Sequence, residues 1–256
     1  MLPLASVDER VRATRNVAKK FAKAAKKVDA PRQLVQRLYA YKIWSHYKRF
    51  SMVPRDGYIT NLLLCMNRIS TRGCIVECGV WRGGMSAGIA DVLPGRVHYL
   101  FDSFEGLPPA KDIDGPAAAA WQSDKLGATY YDNCRAERSF AERAMAISGA
   151  KEFHLVQGWF SDTVPGFVPS EPIAVLRLDA DWYDSTAQCL SGLYPHVMEG
   201  GLVIVDDYYL WDGCSRAVHD YFSEHQLADR IELLRGVCYF IKRGEPSQPP
   251  AAQLRR

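Results

Sequence analysis

Residues 174 to 186, AVLRLDADWYDST, and residues 202 to 208, LVIVDDY, decide the fold. Each opens on a short apolar run and ends abruptly in aspartates, Asp179, Asp181 and Asp184 in the first, Asp206 and Asp207 in the second. Apolar runs this short, bounded by polar turns, are too brief for helices and read as strands buried on both faces. The same shape recurs upstream in CIVECG (74–79), VHYLFD (97–102) and FHLVQG (153–158). Helical spacing fills the gaps, from Gly84, near 135–149, from 184 and near 214–225, and two last strands fall near 231–242. Strand, crossover and strand in repetition define an α/β chain with a doubly wound, mostly parallel sheet. Such sheets bind ligands beyond the carboxyl ends of their strands, so chemistry is expected at Gly79, Asp102, Gly158, Asp179 and Asp206.

The chain has 256 residues, 48% hydrophobic and 24% charged, enough for one large buried core and unlike disordered or fibrous sequences. No apolar run approaches the roughly 20 residues that cross a bilayer, and the first residues do not form a basic patch leading into an apolar stretch. A cytoplasmic protein without stable membrane insertion is expected. The seven cysteines are odd in number and contain no Cys-x-x-Cys pair, which points to free thiols rather than a disulfide framework or zinc cage.

The net charge of +3 hides an asymmetry: residues 1–50 carry 13 Lys/Arg against 3 Asp/Glu, and the remainder 19 against 26. Val7, Val11, Val17, Phe21 and Ala24 set among lysines and arginines have the spacing of a basic amphipathic helix over 8–28. The expected role is packing on its own subunit or on a neighbour in a homo-oligomer, with no nucleic-acid partner. Two further helices follow between Leu34 and Ser70, broken at Pro54-Arg55-Asp56-Gly57. Residues 1–50 thus form a basic helical extension, 51–245 the main domain, and PSQPPAAQLRR (246–256) a disordered tail.

The first strand runs into Glu77-Cys78-Gly79-Val80-Trp81-Arg82-Gly83-Gly84-Met85-Ser86, an acidic residue before a glycine-rich strand-to-helix turn. Glycine there lets backbone approach a ligand closely. The spacing is not G-x-G-x-x-G, and Glu77 would repel a pyrophosphate while accepting hydrogen bonds from an ammonium group. That favours S-adenosylmethionine over a dinucleotide. Asp102, about 23 residues after Gly79, suits ribose hydroxyls. The stretch 105–131, rich in Gly, Pro and Ala, has the character of a lid.

Five carboxylates at two neighbouring strand ends repel one another unless protonated or neutralised by a cation. A bound divalent ion is the simplest neutraliser. All-oxygen ligation selects a hard one, Mg2+ first, with Mn2+ or Ca2+ possible, and no His or Cys in the cluster speaks for zinc.

Taken together, ECGVWRGGMS (77–86), FDSFEGLP (101–108), QGWFSDTVP (157–165), LRLDADWYDST (176–186) and GGLVIVDDY (200–208) resemble the macrocin O-methyltransferase family. Its enzymes methylate sugar hydroxyls of macrolide and aminocoumarin natural products with S-adenosylmethionine and Mg2+. The resemblance implies a seven-stranded class I methyltransferase sheet, Rossmann-like, with its last strand antiparallel. It implies Glu77, Gly79 and Ser86 around the methionine moiety, with Trp81 and Gly83 of the same turn in the cofactor site. Asp102 and Ser103 would meet the ribose, and Gly158 with Trp159 would lie beside the adenine. It implies Asp179, Asp206 and Asp207 as metal ligands and Asp181 as the catalytic base. The acceptor would be a small molecule or glycoside presenting adjacent hydroxyls.

Trp182, Tyr183, Tyr208, Tyr209 and Trp211 either face a sugar ring or flat aglycone or fill the rim of the core. His196 and His219 read as ordinary helical histidines. Two other functions fit parts of the pattern: Asp179-Ala180-Asp181 as the D-x-D of a metal-dependent glycosyltransferase, and a non-catalytic cofactor-binding module.

Overall fold

The computed structural model describes residues 32–69 and 71–243. The basic helix expected over 8–28 and the tail from 246 lie outside the described residues. Two helices lead in, α1 (Arg32–Tyr47) and α2 (Arg55–Arg68), separated at Pro54 as the turn signal requires. There follow β1 (Cys74–Cys78), α3 (Gly84–Val92), β2 (Val97–Asp102), α4 (Pro116–Ser123), α5 (Arg138–Ala146), β3 (Glu152–Gln157) and a single turn, α6 (Phe160–Thr163). The chain then forms β4 (Ile173–Leu178), α7 (Tyr183–Leu193), β5 (Val197–Val205), α8 (Asp212–Glu224), β6 (Glu232–Leu234) and β7 (Val237–Ile241).

The strands make one sheet in the order β3-β2-β1-β4-β5-β7-β6, parallel throughout except for β7, which runs against both its neighbours. This is the class I methyltransferase fold, with the last strand antiparallel. Because β1 has β2 on one side and β4 on the other, the strand order reverses at β1, and a crevice opens beyond its carboxyl end.

Every residue of β1 and β4 is buried, as a sheet covered on both faces demands. Val76, Leu176 and Val203 point toward α4, α7 and α8, whereas Ile75, Val175 and Ile204 point toward α1, α2, α3 and α5. Strand β5 begins earlier than the apolar run at 202, because Val197 already pairs with Ile173. An irregularity at Gly200, in the left-handed region at φ 76°, absorbs the extra residues.

The segment 105–131 is not a bare loop. It carries a 3-10 turn at Asp112–Asp114 and α4, which begins on Pro116, where a missing N–H costs nothing. Its contacts with the chain after β4 run residue by residue. Trp182 Nε1 donates to Pro108 O (2.9 Å), Tyr183 N donates to Asp114 Oδ1 (2.7 Å), and Lys111 Nζ pairs with Asp184. No described helix is long and apolar enough to cross a membrane.

Candidate active site

A cavity of about 390 Å3 lies where the strand order reverses. Gly79 and Trp81 enter it from β1, Asp102 and Ser103 from β2, Gly158 and Trp159 from β3, and Asp179 and Asp181 from β4. Leu107 to Lys111 and Asp114 close one side.

Gly79 sits at φ 82°, and a Cβ there would lie 1.7 Å from the carbonyl oxygen of Asp179. Only glycine allows the ends of β1 and β4 to come this close. The turn that follows is tied to β2 by Asp102. Its Oδ2 accepts hydrogen bonds from Val80 N (2.7 Å) and Trp81 N (2.8 Å), and its Oδ1 accepts one from Phe104 N (2.6 Å). Burial pushes the Asp102 carboxyl up, and these three N–H donors pull it back. A carboxylate has about four acceptor positions, so one remains for a ligand. The Ser103 hydroxyl is taken internally, donating to Gly106 O and accepting from Glu105 N, both at 3.1 Å.

The carboxylates are organised by a residue that the spacing of motifs does not single out. Arg177, wholly buried, donates through Nη1 to Glu77 Oε1 (2.6 Å) and to Asp179 Oδ2 (2.9 Å), and through Nε to Asn61 Oδ1 (3.2 Å). Its Nη2 lies 2.8 Å from Asp206 Oδ1. Buried arginines are rare unless paired, so an arginine inside the apolar run AVLRLD was the available signal.

Arg177 changes where two groups of expected residues stand. Glu77 accepts from Arg177 on one oxygen and from the Ser86 hydroxyl on the other, and both residues stand behind the cavity wall rather than on it. Gly83 is also off the wall, packed against Ala141. Of the turn residues expected at the cofactor, Gly79 and Trp81 are the ones that line the cavity. Asp206, expected as a metal ligand, is turned to Arg177. Among the described residues, the carboxylates whose ligand atoms converge, all within 4.8 Å of one another, are Asp179, Asp181 and Asp207.

The trio is strained electrostatically. Burial first and then the charge of Asp179 push Asp181 up to about 7, and burial with the charges of Asp181 and Asp179 holds Asp207 well above the usual carboxylate range. Burial also raises Asp179, while Arg177 pulls it down. Asp181 adopts a left-handed backbone (φ 55°), with its N–H donating to Asp207 Oδ2 (3.2 Å) and its Oδ1 accepting from Trp211 Nε1 (3.0 Å). One buried and two half-buried carboxylates, with a guanidinium on Asp179 alone and no nitrogen or sulfur donor among them, form a set that suits a hard divalent ion.

Trp182 and Trp211 are buried and pack on each other at 5.2 Å between ring centres; Trp211 belongs to the core, while Trp182 also contributes to the cavity wall. Tyr209 is exposed and packs edge-on against Tyr208 at 4.8 Å between ring centres, and the Tyr208 hydroxyl shares a hydrogen bond with His219 Nε2 (2.8 Å). Met52 and Cys134 also line the cavity without any motif to announce them.

A sheet of this order, with a glycine turn after β1 and an acidic residue closing β2 at a cavity, defines a class I methyltransferase. The family model described as Macrocin-O-methyltransferase (TylF) matches residues 9–243, and the chain belongs to that family. It is 34% identical over 192 residues to the 8-demethyl-8-(2,3-dimethoxy-alpha-L-rhamnosyl)-tetracenomycin-C 4'-O-methyltransferase of Streptomyces olivaceus, covering 71% of each chain. It is 32% identical over 184 residues to the Mycinamicin III 3''-O-methyltransferase of Micromonospora griseorubida, covering 68% of this chain and 70% of the relative. The solved structure of the O-methyltransferase NovP superposes with a TM-score of 0.61 at 25% identity, covering 93% of this chain and all of that one. Family membership leaves the glycosyltransferase reading of Asp179 and Asp181 without support.

Proposed function

We propose that this protein is a cation-dependent O-methyltransferase that moves a methyl group from S-adenosylmethionine to a sugar hydroxyl of a glycosylated natural product. The observation that carries the reading is the convergence of Asp179, Asp181 and Asp207 beside a cavity that also takes in the Gly79–Trp81 turn and Asp102. The substrate class rests on the family and on the relatives, one named for a rhamnosyl-bearing tetracenomycin and the other for the 3''-O-methylation of mycinamicin III.

The residues present fit both S-adenosylmethionine and a hard dication. Asp102 keeps an acceptor position for a ribose hydroxyl, the half-exposed Trp159 ring stands at the wall for an adenine, and an acid-lined cavity favours a cationic donor over a phosphorylated one. Asp179 and Asp207 would hold the cation, in keeping with Mg2+, which takes one or two carboxylates and leaves room for water and substrate oxygens. When bound, S-adenosylmethionine supplies a methyl already activated on sulfur, and the dication supplies positive charge that makes a neighbouring hydroxyl more acidic.

The chain's own residues do the rest. The Gly79 turn and Asp102 fix the donor, and the carboxylates beside that turn receive the acceptor, which brings nucleophile and methyl together. Asp181 accepts the hydroxyl proton: its Oδ1 is held by Trp211, and its Oδ2 takes no hydrogen bond among the described residues. The segment 105–131 closes over the site as a lid and excludes water, and its seat on residues 182–184 keeps it in place.

The test is turnover. Purified protein, S-adenosylmethionine and a panel of rhamnosylated and other glycosylated polyketides should give S-adenosylhomocysteine and a monomethylated glycoside, dependent on added Mg2+ and abolished by EDTA. Turnover undiminished by EDTA would remove the cation from the account, and transfer to none of the glycosides would remove the acceptor class.

A further inference from the structure

Trp211 is the first helix-capping position of α8, thirty residues along the chain from Asp181, yet its indole N–H donates to Asp181 Oδ1 at 3.0 Å. The ring itself is 8% exposed and packs edge-on against Trp182 at 5.2 Å between centres. A third tryptophan completes the cluster. Trp121, from α4 within the segment that walls the cavity, lies 5.9 Å from Trp211 and 6.3 Å from Trp182, both in edge arrangements.

Asp181 needs such support. Its left-handed backbone is costly for a residue with a Cβ, and its carboxylate has two other acids within ligand distance. Left to electrostatics alone, it would rotate away from Asp179 and Asp207. An indole N–H is a donor that carries no charge of its own and cannot be titrated away, so it fixes one carboxylate oxygen without competing for a cation or giving up a proton.

We infer that Trp211 is the positioning residue for Asp181, and that Trp121 carries the seating of the 105–131 segment to it by bracing the Trp211 ring. This rests on the proposed role of Asp181 as proton acceptor. The base is then in register only when the covering segment is down: Trp121 leaves the cluster if α4 lifts, and the Trp211 ring loses one of its two aromatic neighbours. Proton abstraction is thereby confined to the closed, water-poor state of the cavity.

The experiment is a mutant cycle read by steady-state kinetics on the Mg2+-loaded enzyme and by S-adenosylhomocysteine titration. Trp211→Phe keeps the ring and removes the donor. It should lower kcat by about 10- to 100-fold, the loss expected for one hydrogen bond to a charged group, with KM for the methyl donor and S-adenosylhomocysteine affinity unchanged. In an Asp181→Asn background the same change should cost nothing further, because its only route to the chemistry is gone. Trp121→Ala should lower kcat in the wild type and have no added effect in Trp211→Phe. A Trp211→Phe enzyme with full kcat, or one whose loss multiplies with that of Asp181→Asn, overturns the positioning role. Multiplying losses for Trp121→Ala and Trp211→Phe overturn the bracing. If Asp181→Asn alone retains full turnover, the failure lies with the proposed base and is recognised before the cycle begins.

Discussion

Arg177 Nη1 lies 2.6 Å from Glu77 Oε1, and the two residues are register partners on adjacent parallel strands. Partners in a parallel pair project to the same face, so β1 and β4 place a carboxylate and a guanidinium side by side in the dry interior by strand pairing alone. Asp179 and Asp206 join them at the strand ends. One positive charge thus serves three carboxylates, and Asp181 and Asp207 lie further on without a cationic partner of their own among the described residues. The shortfall shows in Glu77, which burial drives up to about 7 even though Arg177 and Ser86 pull it down.

Removing the guanidinium should therefore be severe. Arg177→Met leaves the buried Glu77 and the half-buried Asp206 without their cation, a type of change that costs about 3–5 kcal/mol. Urea unfolding at neutral pH should show an unfolding free energy lower by that amount. A loss below about 1 kcal/mol would mean that the network contributes little to stability.

Gly79→Ala tests the approach of β1 to β4. Its Cβ would strike the Asp179 carbonyl and sit at a φ that L side chains avoid. The variant should be less stable and should bind S-adenosylhomocysteine at least about tenfold more weakly, since the turn must shift to make room. Unaltered affinity by calorimetry would show that the turn is not part of the donor site.

A carboxyl remote from the cavity gives a pH signature. Asp91 accepts from Gly149 N on Oδ1 (2.9 Å) and from the Tyr47 hydroxyl on Oδ2 (3.1 Å), and burial pushes it up to about 6. Its folded value exceeds the unfolded one, near 3.9, so the folded state holds the proton more tightly. The stability contributed by that proton is complete below pH about 4 and is lost as pH rises through about 6. Asp91→Asn keeps the shape without the titration. Denaturation across this range should show the variant gaining on the wild type as pH increases, and a flat difference would contradict the assignment.

Asp181→Asn should lower kcat by about 10² to 10⁴, the range for a positioned general base, with donor affinity retained. Product analysis under single-turnover conditions reads the chemical step directly, and an unchanged rate would remove Asp181 from it.

Much of this was legible in the sequence. Short apolar runs locate the buried strands, and because a doubly wound sheet places its ligands at strand ends, Gly79, Asp102, Gly158 and Asp179 are expected at one crevice, where the structure has them. What escaped was pairing across the sheet. The short apolar run places Arg177 in a strand but does not say that Glu77 is its register partner, nor that Asp206, two residues past Ile204, shares the Arg177 face. Hence Glu77 and Asp206 were expected at ligands, whereas each has a protein partner. The aromatic residues were equally ambiguous, since the sequence does not distinguish a tryptophan that faces substrate from Trp211, which faces Asp181.

The central claim is that Asp179 and Asp207, converging beside Asp181, form the seat of a hard dication. Manganese titration followed by electron paramagnetic resonance measures it most directly, because free and bound Mn2+ are counted separately and no substrate is needed. The account predicts one saturable ion per chain, displaced by Mg2+, and lost in both Asp179→Asn and Asp207→Asn while those proteins remain folded. Absence of saturable binding to the wild type, or binding that survives intact in both variants, would contradict it.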